Sequence, residues 1–504
     1  MSHKLVKEDF VSNLNGTTLL ELSVILPIPP LCLLSRGLLL TLYFLHHGTP
    51  LHSKSGRFLL DFTVLVIPSL LLCTIFAPVL PAIVLFMTVF CAGLIFKIYS
   101  RRTNYVKVPL EQILRDFLRT NLKPKYIPSI SVFRAYMNVL TSINILAVDF
   151  PQYPRRYAKT ETYGTGLMDF GVGAFVFGNA VVCPEVRLKP GAVQRNSFYL
   201  TKQFSSVWPL LLLGFGRLMS VKAIDYHEHT SEYGVHWNFF FTLASVRITA
   251  SLLLTAFPVR KAWIVAVTLA VGYECFLSLT PLKMFIMHGS NGQGSRTGFL
   301  NANREGLFSI AGYLAIYMAS VQVGLFLLRK RSSVREWFGV ICSLLLTFFL
   351  LFICLNFCQT YVDTTSRRMG NLSFCLWIVA YCLLLFGAYL LADLALVFAK
   401  LLVDGATVPA SWNIVPLSET NKKQDSETND RKPIPQDLCL ITAVNRNQLL
   451  YFLLANILTG FTNMLVDTIH SRTFSAMFVL HLYMFANVLI MYMLQAKNIV
   501  VKWW

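Results

Sequence analysis

The chain has 504 residues, of which 55% are hydrophobic and 14% charged, and a formal charge of +19. That is too apolar for a soluble domain, and the apolar residues gather in windows of about 20, the length that crosses a bilayer as a helix. The positive charge does not argue for nucleic acid. With alternate loops on opposite sides, about 28 of the Lys and Arg fall on one side and about 12 on the other, the bias of cytosolic loops in membrane proteins.

An all-α polytopic fold of about thirteen spans is therefore expected. They lie near 19–45, 58–77, 79–97, 131–149, 164–184, 203–222, 235–257, 261–280, 306–328, 336–359, 370–398, 447–467 and 474–496. The first is too long for a cleavable signal and is interrupted by Pro27, Pro29 and Pro30, so a retained, kinked span is predicted. The odd count and the charge bias place the N-terminus in the lumen and the C-terminus in the cytosol. Asn15-Gly-Thr is then a lumenal glycosylation sequon.

Between the third and fourth spans, Tyr105, Leu110, Ile113, Leu114, Phe117 and Leu118 recur at helical spacing, which predicts an amphipathic helix on the cytosolic membrane surface. Residues 403–440 carry four prolines and a long polar run, too little apolar surface to offset ordering entropy. The division expected is a core over 1–402, a disordered cytosolic linker over 403–446, and a final pair of spans with a tail over 447–504. The eleven cysteines have no metal-ligand spacing and read as small packing residues, so no metal site is expected.

The polar residues inside the spans carry the functional signal. Arg134, Asn138, Ser142 and Asp149 fall within about 80° of one another on a helical wheel and form a stripe that lines a cavity or meets polar partners in the bundle. Gly164, Gly171 and Gly178 repeat every seven residues, a packing face, and Asp169 points away from it toward the side of Asp149. Between these two spans runs the densest block, residues 147–169, AVDFPQYPRRYAKTETYGTGLMD. Pro151 and Pro154 stop the helix there, allowing a fold-back that brings a carboxylate and an ammonium together. Arg155 and Arg156 sit against the charge bias, as a fork-shaped clamp for a lipid phosphate would. EYGVHWN at 232–238 contributes His236 and Asn238. The glycine-rich run 291–298 leads into Asn301, Asn303 and Arg304, a composition suited to holding phosphate or sugar hydroxyls.

The block at 147–169, EYGVHWNFFFT at 232–242 and LNANREG at 300–306 closely resemble the PIG-W class of inositol acyltransferases of glycosylphosphatidylinositol (GPI) anchor biosynthesis, over nearly the whole chain. The resemblance implies residence in the endoplasmic reticulum membrane. It also implies transfer of a fatty acyl group, usually palmitoyl, from acyl-coenzyme A to the inositol 2-hydroxyl of glucosaminyl-phosphatidylinositol. Acyl-CoA is then a co-substrate and no bound cofactor is needed. The family's catalytic aspartate and lysine fall on Asp149 and Lys159. A buried carboxylate suits a general base, and the ammonium suits an oxyanion or the carboxylate's own alignment. Two other classes also use many spans and buried polar stripes: a lipid transporter or scramblase, and a membrane O-acyltransferase built on a buried His, for which His481 with Asn487 is the tempting pair.

Overall fold

The computed structural model describes residues 10, 12, 14–122, 127–187, 203–224, 230–414 and 438–501. Among them, eleven helices are long and apolar enough to cross a membrane. In chain order, with one surface helix and two shorter apolar ones, the principal elements are α1 (Leu19–His47), α2 (Lys54–Leu72), α3 (Ala77–Ser100), α4 (Leu110–Arg119), α5 (Pro128–Ala147), α6 (Leu167–Ala180), α7 (Trp208–Ile224), α8 (Phe239–Ala256), α9 (Val259–Leu279), α10 (Arg304–Leu327), α11 (Val334–Tyr361), α12 (Leu372–Leu402), α13 (Gln448–Leu465) and α14 (Thr473–Ala496). The expected fifth and sixth spans correspond to α6 and α7, of 14 and 17 residues.

Burial sorts these helices into layers. In α5 and α12, 72% of the apolar window is buried, against 17% in α3 and α13. The first two form the centre of the bundle and the others its rim. On the rim, α3 exposes Leu85, Phe86, Val89 and Phe96, and α11 exposes Leu346, Phe349, Leu350 and Ile353. Bare aromatic and aliphatic faces of that kind are stable in hydrocarbon and costly in water. At the centre, Phe133 of α5 stacks on Phe386 of α12, ring centroids 4.5 Å apart.

The chain breaks its helices where the sequence predicts. Pro27, Pro29 and Pro30 interrupt α1 near Leu26, and the residues beyond still continue as helix. The surface helix α4 forms as expected. Its Ile113 is fully buried and Phe117 packs edge-on against Phe398 of α12, while Leu110, Leu114 and Leu118 stay exposed.

The segment expected as a disordered linker has packed flanks. Trp412 lies against Trp337 of α11, and Lys400 donates to Ser411 Oγ at 2.8 Å. On the far side, Leu440–Arg446 is a short helix with Leu440, Ile441, Ala443 and Val444 buried against α5 and α14. Its first amide, Leu440 N, donates to Asp61 Oδ2 at 2.8 Å, and the other oxygen of Asp61 holds Arg36 at 2.6 Å. Apolar residues at 438–444 explain why this stretch folds back. The remainder of the expected linker, 415–437, lies outside the described residues. Helices α13 and α14 pack on α5, within the same bundle as the core.

Candidate active site

The dense block forms a buttressed turn at one end of α5. Pro151 and Pro154 cannot continue the helix, and the backbone tightens after Ala147. Asp149 N donates to Leu146 O at 3.1 Å and Phe150 N to Ala147 O at 3.0 Å. Tyr153 is buried and donates its hydroxyl to Asn144 Oδ1 at 2.6 Å, which hooks the turn back onto α5. Beyond it, Thr17 N donates to Thr165 O at 2.7 Å and Gly164 N to Thr365 O at 2.8 Å. The N-terminal strap and the loop before α12 therefore clasp the block from both sides. Gly16 sits at φ 79°, and a Cβ there would meet Thr165 O at 2.6 Å, so the close approach requires glycine.

This turn opens on a cavity of about 920 Å³ bounded by α1, α2, α5, α6, α8 and α13. Asp149 and Lys159 both line it. Asp149 Oδ2 accepts from Asn463 Nδ2 of α13 at 2.7 Å, which fixes the carboxylate's orientation. Lys159 Nζ pairs with Glu232 Oε2 at 2.6 Å, the two side chains 28% and 19% exposed. Among the described residues six charged side chains line the cavity: the carboxylates Asp149, Glu161 and Glu232 and the cations Lys159, Arg217 and Arg367. The remaining wall is largely apolar, with Leu26 and Ile28 of α1, Met137 and Ile145 of α5, and Phe452 and Ile457 of α13.

Behind this wall stands a buried ion pair. Asp169, wholly buried in the first turn of α6, accepts Arg367 Nε at 2.6 Å through one oxygen and both Thr160 N and Oγ1 at 2.9 Å through the other. Burial opposes the Arg367 charge, but the Asp169 carboxylate together with Glu232, Tyr233 and Tyr313 outweighs it and holds the guanidinium's pKa above its ordinary value. Arg367 also reaches Thr160 O at 3.4 Å and lines the cavity itself. The pair thus pins the residue next to Lys159.

Several residues singled out in the sequence do other work. Arg155 folds onto the turn's own carbonyls, Nη2 to Phe150 O at 2.9 Å and Nε to Tyr153 O at 3.1 Å, and stacks on Phe10 at 4.3 Å. Arg156 makes a forked contact with Glu21 of α1 at 2.9 to 3.0 Å, and Tyr157 Oη joins the same carboxylate at 2.6 Å. Neither arginine lines the cavity, and both brace the turn. Asp169 is likewise behind the wall and not in it.

Of the two fates expected for the polar stripe, Ser142 meets polar partners in the bundle and the stripe stays out of the cavity lining. The cavity face of α5 carries Met137, Leu140, Thr141, Asn144, Ile145 and Val148, about a quarter turn from Arg134, Asn138 and Ser142. Ser142 Oγ instead lies 2.8 Å from Tyr451 Oη of α13, and Tyr483 of α14 donates to Ser142 O at 3.1 Å. Asn138 Nδ2 donates to Arg134 O at 2.9 Å. These are helix-to-helix and intrahelical contacts. Asp149 escapes the wheel because it lies past the end of the helix.

Asn238 lines the cavity but acts as the N-cap of α8, accepting from Phe240 N and Phe241 N while donating to Gly214 O at 2.8 Å. His236 is not in the lining; its amide donates to Asn303 Oδ1 at 2.8 Å. Asn301, Asn303 and Arg304 are buried and also outside the lining. Arg304 gathers the carbonyls of Ile286, Ser295 and Asn301 at 2.8 to 3.0 Å, so the glycine-rich run is wrapped around it. The structure thus makes this set a loop scaffold where the sequence suggested a phosphate cradle. His481 Nδ1 donates to Met477 O at 2.6 Å and, with Asn487, lies away from the cavity lining. Among the described residues no His, Cys, Asp and Glu cluster is arranged to hold a metal.

Glu232, Arg367 and Asn463 are the site residues that sequence reasoning did not assign. Glu232 opens the EYGVHWN motif, and Arg367 stands in a polar pair before α12; their charge at span ends was the available signal. Asn463 gave none, since it meets Asp149 across 314 residues.

The GWT1 family profile matches residues 3–494. The chain is similar to glucosaminyl-phosphatidylinositol-acyltransferase PIGW of Bos taurus, 49% identical over 505 residues and covering all of both chains. It is similar to the Homo sapiens protein of the same name, again 49% identical over the full length of both. A more distant relative is GPI-anchored wall transfer protein 1 of Yarrowia lipolytica, 34% identical over 99% of each chain. The resemblance read from the motifs extends from one end of the sequence to the other, and the chain belongs to the GWT1 family.

Proposed function

We propose that this protein is an O-acyltransferase of the endoplasmic reticulum membrane that moves a fatty acyl group, palmitoyl in preference, from acyl-CoA to the inositol 2-hydroxyl of glucosaminyl-phosphatidylinositol. The carrying observation is one cavity in which Asp149 and Lys159 meet a long apolar wall. A polar end suits an inositol headgroup, and the apolar remainder suits an acyl chain.

In the reaction, the inositol hydroxyl attacks the thioester carbonyl. Asp149, oriented by Asn463, takes the hydroxyl proton as the C–O bond forms. Negative charge then develops on the carbonyl oxygen, where the Lys159 ammonium stabilises it. The C–S bond breaks and coenzyme A leaves as the thiolate, which recovers a proton from the carboxyl or from water. Transfer is direct, with no acyl-enzyme intermediate: the polar block offers no Ser or Cys in a nucleophile setting.

Purified protein in detergent, supplied with labelled acyl-CoA and glucosaminyl-phosphatidylinositol, tests this reading. The expected product is the inositol-acylated lipid with release of free CoA. Failure to transfer acyl groups, with movement of unmodified lipid across reconstituted vesicles, would establish the carrier reading in its place.

A further inference from the structure

The charges around the cavity do not match a site built for a phosphate alone. Among the described residues three carboxylates and three cations line the cavity, and one of the cations, Arg367, is already held by Asp169, whereas recognition of a single anionic phosphodiester calls for an excess of positive charge. A balanced wall fits a headgroup that carries both signs. One of its three carboxylates, Glu232, already holds an alkylammonium, Lys159 Nζ, at 2.6 Å, and the pair is partly open to the cavity. A second ammonium entering there meets an acceptor of the right charge and geometry.

We infer that Glu232 determines acceptor specificity by receiving the protonated amine of the substrate's amino sugar; this rests on the function proposed above. Asp149 faces the reacting inositol hydroxyl, and Glu232 lies one ion pair beyond Lys159, as the amino sugar lies one ring beyond inositol. When the sugar ammonium occupies Glu232, Lys159 exchanges its partner for the developing oxyanion. Arg217, on the same wall, supplies positive charge for the phosphodiester. An N-acetylated sugar has no charge to offer Glu232, and bare phosphatidylinositol has no group there at all. Both leave the Lys159–Glu232 pair closed and the lysine withheld from the reaction.

The test uses the full-length protein and three short-chain acceptors: glucosaminyl-phosphatidylinositol, its N-acetylated counterpart and phosphatidylinositol. Binding is read by thermal shift and acylation by kcat/KM. The wild type is expected to prefer the free amine by about tenfold or more, the scale of a lost charge-assisted contact. Glu232→Gln, in which no ion pair withholds Lys159, is expected to bring the three acceptors within about twofold of one another, by raising KM for the amine and kcat for the other two. Glu232→Asp, which keeps the charge, retains the preference even if the amide variant folds poorly. Two results overturn the assignment: Glu232→Gln lowering all three acceptors by one common factor, which is the signature of merely positioning Lys159, or Glu161→Gln abolishing the preference while Glu232→Gln leaves it. If the wild type acylates none of the three, the proposed function itself fails.

Discussion

Asp149 is placed by its neighbours and not by its helix. It lies past the end of α5, and Asn463 Nδ2 holds one of its oxygens at 2.7 Å. Asn463→Leu removes that donor without altering the carboxylate's charge, so acyl transfer is expected to fall by about ten- to a hundredfold, mainly in kcat, as misalignment of a reacting group does. An unchanged kcat would remove Asn463 from the account. Arg156 carries the opposite expectation. Its forked contact with Glu21 is partly exposed, 43% on the arginine side, and such pairs contribute about 1 kcal/mol or less. Arg156→Ala should leave acyl transfer within about twofold of wild type; a large rise in KM for the lipid acceptor would restore the phosphate clamp. At this scale the sequence was legible where a motif was local and opaque where a partner was distant. The block holding Asp149 and Lys159 could be found by its charge density, whereas Glu232, Arg367 and Asn463 reach it only through the fold. Charge against the usual bias at Arg155 and Arg156 implies a partner without saying whether it is a ligand or the protein.

Helix ends do most of the work of shaping the site. The turn after α5, the first turn of α6 and the loop before α12 are tied together by Asp169, Thr160 and Arg367, all buried. Breaking a buried pair by removing one partner leaves an uncompensated charge, at a cost of about 3–5 kcal/mol. Arg367→Leu should therefore lower the unfolding temperature in detergent and disable transfer together. A variant as stable as wild type would show that the pair is not structural. The α10 contact with this loop is equally tight: a Cβ on Gly312 would lie 2.0 Å from Gly370 O. Gly312→Ala is expected to displace the loop carrying Arg367, seen as reduced thermal stability, and the same substitution at Gly339, where nothing lies within 4 Å, should have little effect. The predicted element order was readable because apolar windows and prolines act locally. The face of α5 that meets the cavity was not, because a polar stripe satisfies interhelical hydroxyls such as Tyr451 and Tyr483 as readily as it lines a hollow.

For the whole molecule, the N-terminal strap links orientation to chemistry. Asn15 is exposed and adjoins Gly16, which crosses Thr165 of the site block, while Asn371, whose Asn-Leu-Ser is also a glycosylation sequon, is fully buried as the N-cap of α12. With the N-terminus lumenal as proposed, a glycosidase-sensitive glycan is expected at Asn15, lost in Asn15→Gln, and none at Asn371. Modification at Asn371 would contradict the packing of that helix end, and a tag at the N-terminus reacting from the cytosol would reverse the orientation. The central claim is that one cavity performs acyl transfer with Asp149 and Lys159 as its reacting pair. It is tested most directly by measuring labelled acyl transfer from acyl-CoA to glucosaminyl-phosphatidylinositol by wild type, Asp149→Asn and Lys159→Ala, all purified and shown to be folded. The wild type is expected to yield acylated inositol and either variant at least about a thousandfold less; near-normal product from either one would show that its residue is not part of the reacting pair.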